Sequence, residues 1–314
     1  MPPTHRTLRV IAKDEVADQV ASVVLEDSAG GALPEWRPGA HIDVELDNGV
    51  TRQYSLCGDP ADDHWRIAVL REPASRGGSA YVHDELVVGS EIGTQGPRNH
   101  FAFVEASSYL FIAGGIGITP LIPMIGAAVR SGASWRLLYG GRTRASMAFA
   151  DVLARAHPDQ VTLAPTDEVG LLDLESALGS VDDGCVAYCC GPEPLLLAVE
   201  EVSHRLGVPL HVERFAAKEV PDDAVNTAFE VELAQSGTTV QVGADESVLD
   251  AVLDAGVDAD FSCREGTCGT CEVAVLSGDI DHRDSVLDED EAAEGDVMMI
   301  CVSRCLSKRL VIDL

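Results

Sequence analysis

Cys263, Cys268 and Cys271 lie on one glycine-interrupted stretch, Cys263-Arg-Glu-Gly-Thr-Cys268-Gly-Thr-Cys271, and Cys301 ends a later apolar run. The spacing C-x4-C-x2-C followed by a distant fourth cysteine is the plant-type [2Fe–2S] ligand pattern. A structural zinc site or plain core thiols would also use cysteine. Zinc sites, however, pair two C-x2-C or histidine-containing knuckles, and no second knuckle exists here. Cys305 competes with Cys301 for the fourth place. Cys301 is the stronger candidate because it terminates an apolar strand-like run, Val297-Met-Met-Ile-Cys301. The nine histidines show no metal-ligand spacing.

A cluster of this kind moves one electron at a time, so a donor must be sought upstream. Arg52-Gln-Tyr54-Ser55 offers a guanidinium for phosphate, a phenol to pack on a ring and a hydroxyl for a ring nitrogen, expected along one strand face. Arg71-Glu-Pro-Ala-Ser-Arg76-Gly77-Gly78-Ser79 follows, where a Gly-Gly-Ser turn opens a short helix with free N–H groups. Together they predict a flavin phosphate site. Farther on, the apolar run Tyr109-Leu-Phe-Ile-Ala enters Gly114-Gly115-Ile-Gly117-Ile-Thr119-Pro120 and then an apolar helix. Strand, glycine turn and helix N-terminus are what a dinucleotide pyrophosphate requires, although the G-x-G-x-x-G form is absent. After the next strand stand Arg142 and Arg144, with no acidic residue beside them, so a 2′-phosphate or only the pyrophosphate is served.

The elements that must carry these residues fall into three sets. Short alternating runs at Arg6–Ala12, Val20–Glu26, His41–Leu46 and Trp65–Arg71, with an Asp47-Asn48-Gly49 hairpin turn, predict an antiparallel β-barrel over residues 1–105. Residues 106–216 read as a parallel-sheet α/β domain for a nicotinamide dinucleotide. It closes with Val186-Ala-Tyr-Cys-Cys190-Gly191-Pro192 and a helix. A polar stretch, 217–227, reads as a linker. Residues 228–314 read as an α+β unit, a mixed sheet crossed by one helix.

Composition narrows the partners. With 46% hydrophobic and 24% charged residues, the chain supports packed cores throughout. No apolar run reaches membrane-spanning length, and nine cysteines fit a reducing compartment, so a soluble, cytoplasmic protein is expected. The net charge of −30 argues against nucleic acid and anionic membranes. Residues 228–314 hold 20 acidic and 5 basic side chains, half of that charge. This is either a solubility device or a face that steers a basic redox partner.

On the Arg52-Tyr54-Ser55 strand, the Gly77-Gly78-Ser79 turn and the cluster loop, the chain resembles the phthalate dioxygenase reductase and vanillate demethylase reductase family. The resemblance covers essentially the whole chain in the same domain order. It implies a multidomain fold: a flavin-binding β-barrel, a nicotinamide-binding α/β domain and a β-grasp [2Fe–2S] ferredoxin domain. It further implies FMN rather than FAD, NADH with NADPH left open, and Cys190-Gly191-Pro192 lining the nicotinamide site with Thr119. Phe215 would cover the flavin, Ser55 would bond N5, and Cys301 would be the fourth cluster ligand. The implied partner is a separate terminal oxygenase, a Rieske non-haem iron enzyme or a cytochrome P450, served by a monomer. The competing expectation is a stand-alone redox carrier or sensor that does not oxidise NAD(P)H. The intact Arg52-Tyr54-Ser55 and Gly114–Gly117 stretches speak against it.

Overall fold

The structure is a computed structural model that describes residues 5–73, 77–218 and 226–314. Arg76 and most of the expected linker, 219–225, lie outside the described residues. The chain divides into two units, Met1–Glu213 and Arg214–Leu314.

In the first unit, alternating apolar and polar residues build strands β1 (Arg6–Ala17), β2 (Val20–Asp27), β3 (His41–Glu45), β4 (Thr51–Ser55) and β5 (Trp65–Leu70). A short helix α1 (Gly78–Asp84) and strand β6 (Glu91–Arg98) complete the layer. All its pairings are antiparallel, in the order β4-β3-β6-β1-β2-β5. Beyond the end of β4, the Cys57 N–H donates to the Arg66 carbonyl of β5 at 2.8 Å, joining the two edges of the sheet. The inner face buries Leu8, Val10, Val23, Leu25, Ile42, Val44, Trp65 and Ile67. Burying each such side chain contributes on the order of 1.5–3 kcal/mol.

The period then changes from two to continuous apolar runs. β7 (Ser108–Gly114) leads through a 3-10 turn, Gly115–Gly117, into α2 (Ile118–Ser131) and β8 (Ser134–Gly141). After them come α3 (Ala150–Ala156), β9 (Val161–Pro165), α4 (Thr166–Val169), α5 (Leu174–Gly179), β10 (Cys185–Cys190), α6 (Glu193–Leu206) and β11 (Leu210–Glu213). All five strands are parallel, in the order β11-β10-β7-β8-β9. This is the doubly wound order, whose topological switch point falls between β7 and β10. Strand β5 of the barrel touches the Gly115–Gly117 turn. Val20, Cys57, Ala68 and Phe101 share one core with Phe111, Ile118, Leu121 and Tyr188. The Tyr188 hydroxyl ties the two layers further: it accepts from the Val104 N–H at 2.8 Å and donates to the Ala102 carbonyl at 3.1 Å.

The second unit holds β12 (Phe229–Leu233), β13 (Thr238–Val242), α7 (Val248–Asp254), β14 (Glu272–Ser277), β15 (Ile280–Asp281), α8 (Glu289–Glu294), β16 (Val297–Met299), β17 (Arg304–Cys305) and β18 (Arg309–Ile312). Its main sheet runs β13-β12-β18-β14-β16, with β12 and β18 parallel and the other neighbours antiparallel. Helix α7 begins at a Ser247 cap, whose hydroxyl accepts from the Asp250 N–H at 3.0 Å, and buries Val248, Leu249, Ala251 and Val252. A mixed sheet packed on one such helix is the β-grasp arrangement expected from the resemblance.

Candidate electron-transfer site

The loop after α7 is shaped by left-handed backbone at Arg264, Gly266 and Gly269. Cys268, Cys271 and Cys301 are buried and Cys263 is half-buried. The four sulfurs adjoin one another: the Cys263 thiol neighbours those of Cys268 and Cys301, and the Cys271 thiol neighbours that of Cys301. Among the described residues, no three His, Cys, Asp or Glu side chains form a ready-made single-ion site. Four adjoining thiols fit a two-iron cluster, which takes four thiolates in all. Bonds from the Cys268 and Cys301 thiols, then from the Glu265 and Thr267 N–H groups, hold the Cys263 thiol well below its ordinary range. Cys305 is placed differently: its sulfur lies 3.1 Å from the Ser307 hydroxyl and 3.7 Å from the Arg309 carbonyl.

In the barrel, Arg52, Tyr54 and Ser55 stand on β4, opposite Val44, Ile42 and His41 of β3. Neighbouring residues of a strand point to opposite faces. Arg52 and Tyr54 therefore share a face and Ser55, last in the strand, takes the other, so the three do not line one face as expected. Ser55 is buried. Burial pushes the Tyr54 phenol up to about 12, which keeps it a donor. Arg52 meets the expected turn: a Cβ at Gly78 would stand 2.7 Å from the Arg52 Cγ, so only glycine leaves room for the arginine there. Gly77 adopts φ 97, its carbonyl accepts from Asn48 Nδ2 at 3.3 Å, and the Ser79 hydroxyl accepts from the Glu72 N–H at 3.0 Å. Arg71 turns elsewhere, making a two-pronged ion pair with Asp84 at 2.6 and 2.7 Å.

At the switch point, Gly117 lies against the end of β10, and Gly114 packs on Gly191 and Pro192. Gly115, at φ 56, faces open space. The glycine-rich turn thus serves two purposes: close approach of two chain segments, and an uncovered backbone where a pyrophosphate can come near. Thr119 is buried, and its hydroxyl donates to the Ile116 carbonyl at 2.9 Å. Cys190 is fully buried; desolvation, then the charges of Glu213 and Cys189, raise its thiol well above the ordinary value. Beyond β8, Arg142 is exposed, while Arg144 pairs with Asp151 at 2.7 Å. Phe215 falls in the second unit and is exposed.

Sequence reasoning passed over Glu213. It ends β11 directly opposite Cys190. The residue as a whole is only half-buried, yet its Oε2 is sealed from solvent without a hydrogen-bond partner. Burial pushes its carboxyl up to about 8. Only the parallel register of β10 and β11 reveals this neighbour, because the two residues stand 23 positions apart in the chain with helix α6 between them.

Residues 231–306, which include all four cluster cysteines, match the 2Fe-2S iron-sulfur cluster binding domain. The chain is 45% identical over 312 residues to the phenoxybenzoate dioxygenase subunit beta of Ectopseudomonas oleovorans, covering 98% of this chain and 97% of that one. The solved structure of phthalate dioxygenase reductase, described as modular for electron transfer from pyridine nucleotides to [2Fe-2S], superposes with a TM-score of 0.71. It is 36% identical, with 99% of this chain and 98% of that one covered. An intact type IV self-sufficient cytochrome P450 monooxygenase matches with a TM-score of 0.91 and 45% identity over 99% of this chain. The chain spans only 41% of that fused enzyme. With the fold and the glycine turn, these relatives define an NAD(P)H-dependent flavin and iron–sulfur oxidoreductase that supplies electrons to an oxygenase. The chain belongs to the phthalate dioxygenase reductase family.

Proposed function

We propose that this chain is a monomeric, cytoplasmic, NADH-oxidising reductase that binds FMN and serves a separate Rieske non-haem iron oxygenase. The observation that carries the reading is the contact between barrel strand β5 and the Gly115–Gly117 turn, which makes the flavin barrel and the dinucleotide turn parts of one body. When bound, flavin and the two-iron cluster supply the conversion of one hydride into two single-electron transfers.

The chain's own residues do the holding and orienting. Arg52 and the Gly77-Gly78-Ser79 turn bind the flavin phosphate and Tyr54, on the same face of β4 as Arg52, packs on the ring. The N5 bond assigned to Ser55, on the other face at the end of the strand, rests on the family resemblance. Arg71, which pairs with Asp84, supports α1 from behind. Gly114, Gly115 and Gly117 admit the pyrophosphate, with Arg142 reaching it from the end of β8. Arg144 is held by Asp151, so it is poorly placed to receive a 2′-phosphate, and this favours NADH. Thr119 and the Cys190-Gly191-Pro192 stretch flank the nicotinamide. Cys263, Cys268, Cys271 and Cys301 would together hold the two-iron cluster. The corresponding domains are residues 1–105, 106–216 and 228–314, with 217–227 as linker.

Support for a Rieske partner comes from relatives of nearly the same length that are named as dioxygenase components. A second reading, a cytochrome P450 partner, is favoured by the match to the fused monooxygenase. The deciding experiment is steady-state cytochrome c reduction with NADH and with NADPH, with the released flavin weighed by mass spectrometry. Purified Rieske and P450 acceptors are then compared. FMN, NADH preference and faster turnover of the Rieske acceptor are expected. FAD, NADPH preference or P450-only turnover overturns the corresponding part.

A further inference from the structure

Asp284 is the one deeply buried carboxylate of the second unit among the described residues, 4% exposed, and it lies against the cluster frame on two sides. On one side its Cα and Cβ would stand 3.0 and 3.2 Å from a Cβ at Gly266, inside the loop between Cys263 and Cys268. The next residue fixes that contact, since the Ser285 N–H donates to the Gly266 carbonyl at 2.8 Å. On the other side the Ser303 hydroxyl, two residues after Cys301, donates to Asp284 Oδ2 at 3.3 Å. The Arg283 N–H donates in turn to that hydroxyl at 3.2 Å. Oδ1 accepts from the Val286 and Leu287 N–H groups at 3.1 and 2.9 Å.

These donors are dipoles; among the described residues no cation is hydrogen-bonded to the carboxylate, and only His282, when protonated, stands within ion-pair range of it. Arg283 points its guanidinium to Asp281 at 2.6 Å. The His282 Nδ1 stands 3.7 Å from Oδ2, beyond hydrogen-bond reach. A buried charge without a bonded counter-charge acts over a longer range than a solvated one. Reduction of the cluster adds negative charge, and outer groups around such sites tune their potentials.

We propose that Asp284 is a positioning and tuning residue of the cluster. Its carboxylate bridges the ligand loop and the Cys301 segment, and its charge lowers the cluster's reduction potential relative to the flavin. The inference rests on the cluster reading above. It assigns the tuning to a side chain outside the C-x4-C-x2-C loop.

The test is redox titration of the holoprotein, followed by electron paramagnetic resonance for the cluster and by absorbance for the flavin. Asp284→Asn keeps the shape and the Oδ1 acceptor while removing the charge. The cluster midpoint is expected to rise while the flavin midpoint and the resonance line shape stay unchanged. Ser303→Ala strips a donor from the carboxylate and is expected to move the cluster midpoint the opposite way. An intact cluster with an unchanged or lowered midpoint in Asp284→Asn overturns the proposal. If Asp284→Asn loses its cluster, Ser303→Ala decides: a lowered midpoint supports the charge role, and an unchanged one refutes it. Wild-type protein that carries no iron–sulfur spectrum would instead refute the cluster reading itself.

Discussion

Gly117 sits so close to Cys190 that an added Cβ would lie 2.2 Å from the Cys190 carbonyl oxygen and 2.7 Å from the Gly191 nitrogen. Both obstacles are backbone, so relief requires the Gly115–Gly117 turn to part from the end of β10. Gly117→Ala is therefore expected to lower kcat/KM for NADH at least about tenfold, because misplacing reacting groups by an ångström costs that much or more. Flavin content should hold, since the added Cβ meets the end of β10 and not the barrel. Wild-type rates of ferricyanide reduction in the variant would refute the assignment of this turn to the nucleotide.

Glu213 makes stability depend on pH in an unusual direction. Its carboxyl titrates near 4.5 when unfolded and near 8 in the fold, so the folded form holds more protons between those values. Stability must then fall as pH rises through that window and level off above it. Each pKa unit corresponds to about 1.4 kcal/mol. Glu213→Gln should lack this component, gaining on the wild type by a few kcal/mol between pH 5 and pH 8.5, again at about 1.4 kcal/mol per unit. Urea titrations of both proteins across that range measure it, and parallel curves would refute the buried-acid assignment.

Among the cysteines, Cys263→Ala, Cys268→Ala, Cys271→Ala and Cys301→Ala should each abolish the iron–sulfur absorbance while NADH still bleaches the flavin. Cys305→Ala should keep the cluster, because that thiol bonds to Ser307 rather than to another sulfur. Iron analysis and visible spectra separate the outcomes. Loss of the cluster in Cys305→Ala, with retention in Cys301→Ala, would reverse the assignment.

Arg142 and Arg144 provide a contrast between a free and a paired cation. Arg142→Ala is expected to raise the KM for NADH several-fold, whereas Arg144→Ala mainly forfeits an exposed ion pair with Asp151 worth about 0.2–1 kcal/mol. Equal effects of the two substitutions on KM would show that the ion pair opens when nucleotide binds.

With 20 acidic against 5 basic side chains in residues 228–314, turnover with a basic-faced oxygenase should fall as salt rises. Reduction of small neutral acceptors should stay level. Flat turnover with the protein partner from low to high ionic strength would leave solubility as the role of that charge.

The chain's local patterns were easy to read because they are enforced locally. Alternation along His41–Glu45, the turn at Asp47-Asn48-Gly49, the apolar run into Gly114 and the C-x4-C-x2-C loop each carry their own signal. What stayed hidden depends on neighbours distant in sequence. Glu213 faces Cys190 only through strand register, and Asp284 meets Gly266 only once the loop is folded. The ion pair of Arg71 with Asp84 likewise becomes visible only when α1 folds. Ser55 was misplaced with respect to Tyr54 by overlooking the two-residue period that had identified the strands themselves.

Strand β18 lies between β12 and β14, in the middle of the second unit's sheet, although it is made last of the three. During synthesis at ~5–20 residues per second, the thiols of Cys263, Cys268 and Cys271 emerge seconds before that central strand exists. Throughout that interval they belong to an unfolded segment open to stray metals and oxidants. The sheet against which the cluster loop folds can therefore close only once the chain through Ile312 has been made.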